Sequence, residues 1–425
     1  MFKPGIALVV LLGLAATADA GPLGLGLPPL PGGVGTLTNR VTGTLDQDVS
    51  GLRNSVRDAV GRPRTARVFE KDTNGARIVR GEVLALSPSE KSLTIARGLN
   101  FGIVRQTNLG ALGLNVAVLR VPDGMNASDA LTALRKADPE GAYDVDHIYD
   151  PTGSVSDKVT NAATTNTASH AALRIGMIDG GTDQRHDAFA HATIVLRGFV
   201  ADAAPIATQH GTAVASLLVG SDSDVTGVLP DATLYVADVY CGQATGGSAD
   251  AIAEALEWLA ANGVPVVNVS LSGPPNAILA AAVNAFVKRG HVLVAAVGND
   301  GPAAGIEYPA GYPGVVGVTS VDANHAVQLE ANRGADVTFA APGVDVPVAT
   351  LNDRHTSMTG TSFAAPVVAA RFALLVSRTD PRAAARAWST LEHTALHLGA
   401  PGRNDIYGYG FLDRPASPAN ATASK

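Results

Sequence analysis

Four short, nearly unbroken apolar runs constrain this chain more than any other feature. They cover residues 174–179 (RIGMID), 264–271 (VPVVNVSL), 291–298 (HVLVAAVG) and 315–321 (VVGVTSV). A strand with one wet face alternates apolar and polar residues, whereas a run without alternation suits a strand buried on both faces. Helical patterns separate the runs. Residues 248–261 put Ile252, Leu256 and Leu259 on one face, and residues 276–289 open at an asparagine suited to an N-cap and stop before Gly290. This alternation predicts an α/β domain with a mostly parallel sheet covered on both faces. In such folds ligands bind beyond the carboxyl ends of the strands.

Composition supports a large buried core. Of 425 residues 46% are hydrophobic and 16% charged, against a usual charged share of roughly 25%. The net charge of -7 and the lack of a basic block argue against a nucleic-acid partner. Cys241 is the sole cysteine, so an intrachain disulfide and a cysteine-built zinc site are both excluded.

The length predicts two or three domains at about 150 residues each. Lys3, the apolar run 6–14 and Ala18-Asp19-Ala20 read as a secretory signal peptide over residues 1–20. The run is shorter than the about 20 residues a membrane span needs, so no span is expected once the signal is removed. The destination is extracellular or periplasmic. Residues 21–65 combine a Gly/Leu/Pro stretch with apolar spacings of three and four over 37–60, which predict an amphipathic helix. Residues 66–151 read as a small α+β unit, with strands at 115–121 and 142–149 and a helix over 128–136 capped by Ser128. Residues 152–169 (TGSVSDKVTNAATTNTAS) are polar and read as a linker, 170–415 as the α/β domain and 416–425 as a tail.

Four motifs stand at predicted strand or helix ends. Asp179 closes the run MID before Gly180-Gly181. His210 opens HGTAVAS, Asn299 follows the run AAVG, and Ser362 opens an apolar helix in GTSFAAP. Singly, each residue suits a cap or a turn. Together they supply what amide hydrolysis requires: a nucleophile, a base, a group that orients the base, and donors for the tetrahedral oxyanion. Ser362 would be the nucleophile, His210 the base and Asp179 its orienting carboxylate. The Asn299 side chain and the Ser362 N–H would hold the oxyanion. Pro366 is expected in the first turn of the helix, where its missing N–H matters least.

On these motifs, residues 174–413 resemble the subtilisin-like serine proteases, whose Asp, His, Ser chain order is the one found here. EYPAGYP (307–313) and YGYGFLD (407–413) add to the resemblance. It implies a subtilisin-like three-layer sandwich and a serine endopeptidase of polypeptides that works without a cofactor. It also implies that Ser270, Leu271, Ser272 and Gly273 pair with the substrate backbone and line its first pocket, that Gly246-Gly247-Ser248 pairs with an extended substrate by strand addition, and that Ala296 and Gly298 lie at the substrate site. The α+β unit resembles a propeptide of this family, which implies an intramolecular inhibitor and a cleavage site within the linker.

Three departures from the family pattern stand out. Gly180 replaces a serine or threonine beside the acid, Ala213 replaces a histidine, and the loop 220–230 is short. Asp222 and Asp224 in that loop leave a structural calcium open, although no metal is expected in the active site. Cys241 reads either as an inert buried thiol or as one at the substrate rim. Asp300 or Glu307 would favour a basic residue at the cut site if either reached the floor of the first pocket, and a plugged pocket would favour small residues. The alternative to an enzyme is a non-catalytic binding or assembly protein on the same scaffold. An α/β-hydrolase is disfavoured because no G-x-S-x-G occurs and the strongest acid and histidine motifs precede Ser362. A sedolisin-like relative would carry acids in place of His210 and Asn299.

Overall fold

The computed structural model describes residues 68–156, 169–201 and 203–414. The expected signal peptide, the 21–65 stretch with its helix, the 416–425 tail and most of the expected linker lie outside the described residues.

The first part is a five-stranded antiparallel sheet. Strands β1 (Phe69–Lys71), β2 (Arg77–Leu86), β3 (Gly102–Leu109), β4 (Leu114–Arg120) and β5 (Ala142–His147) carry helices α1 (Glu90–Gly98) and α2 (Ala127–Ala137). The order is β1-β2-β4-β3, with β5 also pairing with β2. Side chains alternate across the sheet. Val83, Ala85, Ala117 and Leu119 join Leu131 and Leu134 of α2 in a small private core. Leu84, Val116 and Val118 face the other way and join the core of the larger domain. Helix α2 begins one residue earlier than expected. Its cap is Asn126, whose side chain accepts from Asp129 N, so Ser128 lies within the first turn.

Two short strands follow, β6 (Asp150–Pro151) and β7 (Ser154–Ser156). The larger domain then runs β8 (Arg174–Asp179), β9 (Thr193–Gly198), α3 (Gln209–Val219), β10 (Thr233–Asp238), α4 (Ala249–Ala261), β11 (Val266–Val269), β12 (Leu271–Ser272) and α5 (Ala277–Lys288). It continues through β13 (Val292–Ala296), β14 (Val316–Val321), β15 (Val337–Pro342), β16 (Val346–Thr350), β17 (Arg354–Thr359), α6 (Thr361–Ala373) and α7 (Pro381–Thr394). Seven strands form one sheet in the order β15-β14-β13-β11-β8-β10-β9, every pairing parallel. The missing alternation in the sequence has its cause here. Met177 and Val294 point to the layer of α3 and α6, while Ile178, Leu293 and Ala295 point to the layer of α4 and α5. Both faces are dry, and the architecture is the expected three-layer α/β sandwich.

Helix α6 crosses the middle of one layer and is almost wholly buried. Pro366 is its sixth residue, not part of its first turn as expected. A proline there removes the N–H that would bond to the carbonyl four residues earlier, which is that of Ser362. The Ser270 hydroxyl takes its place, donating to Ser362 O at 2.9 Å.

Candidate active site

Asp179 is the last residue of β8 and is almost fully buried. Thr208 caps α3 by accepting from Gly211 N, which places His210 in the first turn. His210 Nδ1 lies 2.9 Å from Asp179 Oδ1, and the same oxygen accepts from Gly180 N at 2.7 Å. Burial pulls the His210 pKa down, but the Asp179 carboxylate and its hydrogen bond outweigh this, and the pKa lies above the ordinary histidine value.

Ser362 lies in the first turn of α6, with its hydroxyl donating to Ser270 O at 3.1 Å. Asn299 follows β13 and is oriented by α6, because its Oδ1 accepts from Thr361 N at 3.1 Å. Its Nδ2 is buried and unpaired. A buried amide donor without a partner is costly in a resting protein, and it suits a group that waits for developing negative charge.

The chain itself occupies the cleft. Tyr149 N donates to Gly247 O at 2.8 Å on one side. On the other, Asp150 and Pro151 pair antiparallel with Ser272 and Leu271. Beyond the centre, β7 pairs antiparallel with β17, Ser154 opposite Thr359. Thr152 sits between the two pairings. Its carbonyl oxygen is 3.2 Å from His210 Nε2, and its hydroxyl is 2.5 Å from Ser362 Oγ. Serine and histidine therefore both contact Thr152, and no direct hydrogen bond links them. Gly360 makes this approach possible: a Cβ there would meet Gly153 Cα at 2.7 Å and Thr152 O at 3.3 Å.

The sequence pattern of the subtilase family matches residues 171–410, somewhat over half of the chain. The chain belongs to the subtilase family. Subtilisin Savinase of Lederbergia lenta is 36% identical over 211 residues, covering 49% of this chain and 77% of that protein. An alkaline protease of Alkalihalobacillus alcalophilus is also 36% identical over 211 residues, but the chain spans only 54% of its length. Among solved structures, fervidolysin of Fervidobacterium pennivorans aligns with 86% of this chain and 63% of its own at a TM-score of 0.67 and 19% identity, which bears on the fold alone. The prenylagaramide maturation protease aligns with 57% of this chain and 92% of its own, at a TM-score of 0.51 and 27% identity. Membership makes the protein a subtilisin-like serine endopeptidase.

The substrate-side residues expected of a subtilase divide. Leu271 and Ser272 carry the strand pairing, and Ser270 holds Ser362 from both ends. Gly273 bonds across to Tyr308 and lies under the Tyr149 ring. Gly246 closes a turn onto Gln243 O; the acceptor for the cleft segment is its neighbour Gly247. Gly298 lies against the Asn332 amide and the Glu307 carboxyl, both of which a Cβ there would meet within 2.5 Å. Ala296 lies in the core layer that contains α6 and is not part of the lining of the cavity beside Thr152. Thr152 and Tyr149 are the contacts sequence reasoning missed, while Gly247 lies in the 246–248 segment expected to pair with an extended substrate. The signal was present in Gly246-Gly247 and in the strand-like run ending at Tyr149, but nothing local says that the two meet.

The departures also find physical causes. Asp179 Oδ2 is buried without a partner, as the absent side chain at Gly180 implies. A Cβ at Gly180 would meet Thr208 Oγ1 at 2.3 Å, so the threonine that caps α3 occupies that space. Ala213 is packed within the core. Asp222 spends one oxygen on the N–H groups of Asp224 and Val225 and pairs with His355 through the other. Its neighbours His186 and His355 make the surroundings nitrogen-rich, unlike the all-oxygen shell that calcium takes. Cys241 is fully buried, and its thiol faces Asp238 O at 3.3 Å.

Proposed function

We propose that the protein is the precursor of an exported serine endopeptidase that cuts itself first, between Thr152 and Gly153. Ser362 Oγ attacks the Thr152 carbonyl carbon while His210 Nε2 takes its proton. Asp179 holds the imidazole through Nδ1 and stabilises the imidazolium. Asn299 Nδ2 and the Ser362 N–H receive the oxyanion. The carbonyl must first turn from His210 toward Asn299, which frees Nε2 to act as base. The Gly153 amine then leaves with the proton from His210, and water releases Thr152 from the acyl-enzyme as a new carboxyl terminus. The N-terminal unit then stays bound as an inhibitor, with residues 149–152 in the cleft, until displaced.

The observation that carries this reading is the seat of Thr152 between nucleophile and base, with strand pairing on both sides of it. Pairing on both sides also favours an endopeptidase over an enzyme that trims chain ends. Export is supported by the reading of residues 1–20 and by a relative from Bacillus subtilis, the minor extracellular protease Epr, 31% identical over 215 residues and matched over 33% of its length. Among the described residues no helix is long and apolar enough to cross a membrane.

N-terminal sequencing of the secreted product tests the proposal. The mature enzyme should begin at Gly153, and Ser362→Ala should stay uncut and inactive on casein. Maturation of that variant at the normal rate would remove Ser362 from the mechanism.

A further inference from the structure

The first pocket of the cleft lies beside Thr152, in a cavity of about 680 Å³ whose lining includes Ser272, Asn299, Asp300 and Glu307. Glu307 reaches across it. Its carboxyl is bonded by the Ser272 hydroxyl on one wall and lies against Gly298 on the other, where a Cβ would come within 2.5 Å of Oε2. Gly298 also has a φ of +104°, a conformation suited to glycine. Thus Gly298 leaves room both for this carboxyl and for the Asn332 amide, which a Cβ would meet at 2.4 Å.

We infer that this pocket selects lysine or arginine on the amino side of the cut, with Glu307 as the selecting residue and Asp300 as its support. This rests on the seat of Thr152 proposed above. Among the described residues, no lysine, arginine or histidine lies within ion-pair distance of either acid. The acidic groups that face Glu307 are Asp300, from the turn after β13, and Asp150, from β6. Arg77 is the nearby base, and it is already tied to Asp150. Two carboxyls that share a hydrogen bond with each other and have no counter-ion complement a substrate that brings one. Thr152 is too short to use them, and its hydroxyl is engaged by Ser362. Cleavage within one chain tolerates that mismatch because the bond is already held in place, whereas a separate substrate has no such help. Burial first, and then Asp300 and Asp150, push the Glu307 pKa up to about 7 against the hydrogen bond from Ser272. Selection should therefore sharpen as the pH rises through that value.

The test uses the processed enzyme and tetrapeptide anilides that differ only in the residue before the cut. At pH 8.5, kcat/KM for lysine and arginine should exceed that for threonine at least tenfold. Glu307→Gln should reduce that ratio toward one, and the wild-type ratio should fall between pH 8 and pH 6. Benzamidine, a small cation, should compete with substrate in the wild type, which gives a readout even if the variant does not fold. A wild-type preference for threonine or alanine over lysine at every pH would overturn the inference, as would an unchanged ratio in Glu307→Gln. Labelling of Ser362 by a fluorophosphonate separates the two proposals. A labelled, active enzyme without basic preference defeats the pocket assignment alone, and an unlabelled, inactive one defeats the catalytic reading beneath it.

Discussion

The N-terminal unit grips the protease in two chemically different ways. Through residues 148–156 it uses main-chain hydrogen bonds, the strand-addition mode by which any extended peptide would bind. Through its sheet it uses particular side chains. Asp144 accepts from Ala277 N at 2.7 Å and Asp146 from Asp250 N at 3.2 Å, which sets one carboxyl at the start of each of the adjacent helices α5 and α4. Glu257 of α4 reciprocates by accepting from Ala111 N and Leu112 N. The apolar side chains Leu84, Leu109 and Leu112 complete this second surface. The cleft contact tolerates many sequences and is open to competition from substrates. The sheet contact belongs to this unit alone. Under the proposed function, recognition of a substrate and retention of the N-terminal unit would be divided between these two surfaces.

Asn299→Ala gives the strongest test of that division. Removing the equivalent donor in subtilisin itself costs about 2.7–4 kcal/mol, or 10²–10³ in turnover. If the cleft segment is a true substrate, self-cleavage and hydrolysis of added peptides should both slow by that order. Timed gels and anilide assays would measure the pair, and slowing of only one would separate self-cleavage from catalysis. Tyr149→Ala comes next. The Tyr149 side chain is fully buried and its hydroxyl donates to Pro274 O at 2.8 Å. Truncating a buried aromatic costs about 3–5 kcal/mol, shared here between folding of the precursor and seating of the cleft segment. Self-cleavage should slow while the mature enzyme, which lacks residue 149, keeps its rate on added peptides. Slower hydrolysis by the correctly processed enzyme would contradict the split.

The two surfaces were unequally legible in the sequence. The candidate catalytic residues Asp179, His210, Asn299 and Ser362 could be named because each stands at the junction of an apolar run and a turn or helix, a local signal. The parallel sheet could be read because burial on both faces removes alternation from strands such as β11 and β13. Of the cleft segment, residues 148–151 close the expected α+β unit and the part from Thr152 onward falls in the expected linker. Pro151 and Ser154 have little local preference for a strand, and their partners Leu271 and Thr359 lie more than a hundred residues away. The docking acids alternate within the strand ending at Tyr149, so the strand was visible. Its target was not, since a helix N-terminus offers backbone N–H groups that no side-chain pattern records. Pro366 was misplaced for a similar reason: the donor that compensates for it, Ser270, comes from a different element.

The smallest expected effect concerns pH, and it falls on the sheet surface alone. Burial, followed by the charge of Glu82, raises the Asp146 pKa well above the ordinary carboxylate value, with Arg105 opposing. Burial likewise raises Glu82 against Arg105 and Arg120. A carboxyl with a higher pKa in the assembled form than in the separated one binds its proton more tightly there. Assembly is then strongest below the free pKa near 4 and weakens as the pH rises through the raised value. After cleavage, release of residues 66–152 should accelerate as the pH rises from about 4 through the raised value. Asp146→Asn keeps the shape, removes the charge and should flatten that dependence, with little change in turnover by the freed enzyme. The onset of peptide hydrolysis after processing, followed across pH in both forms, measures it. An undiminished slope in Asp146→Asn would move the pH sensitivity to Glu82 or to the cleft, and the sheet surface would then act through shape more than through charge.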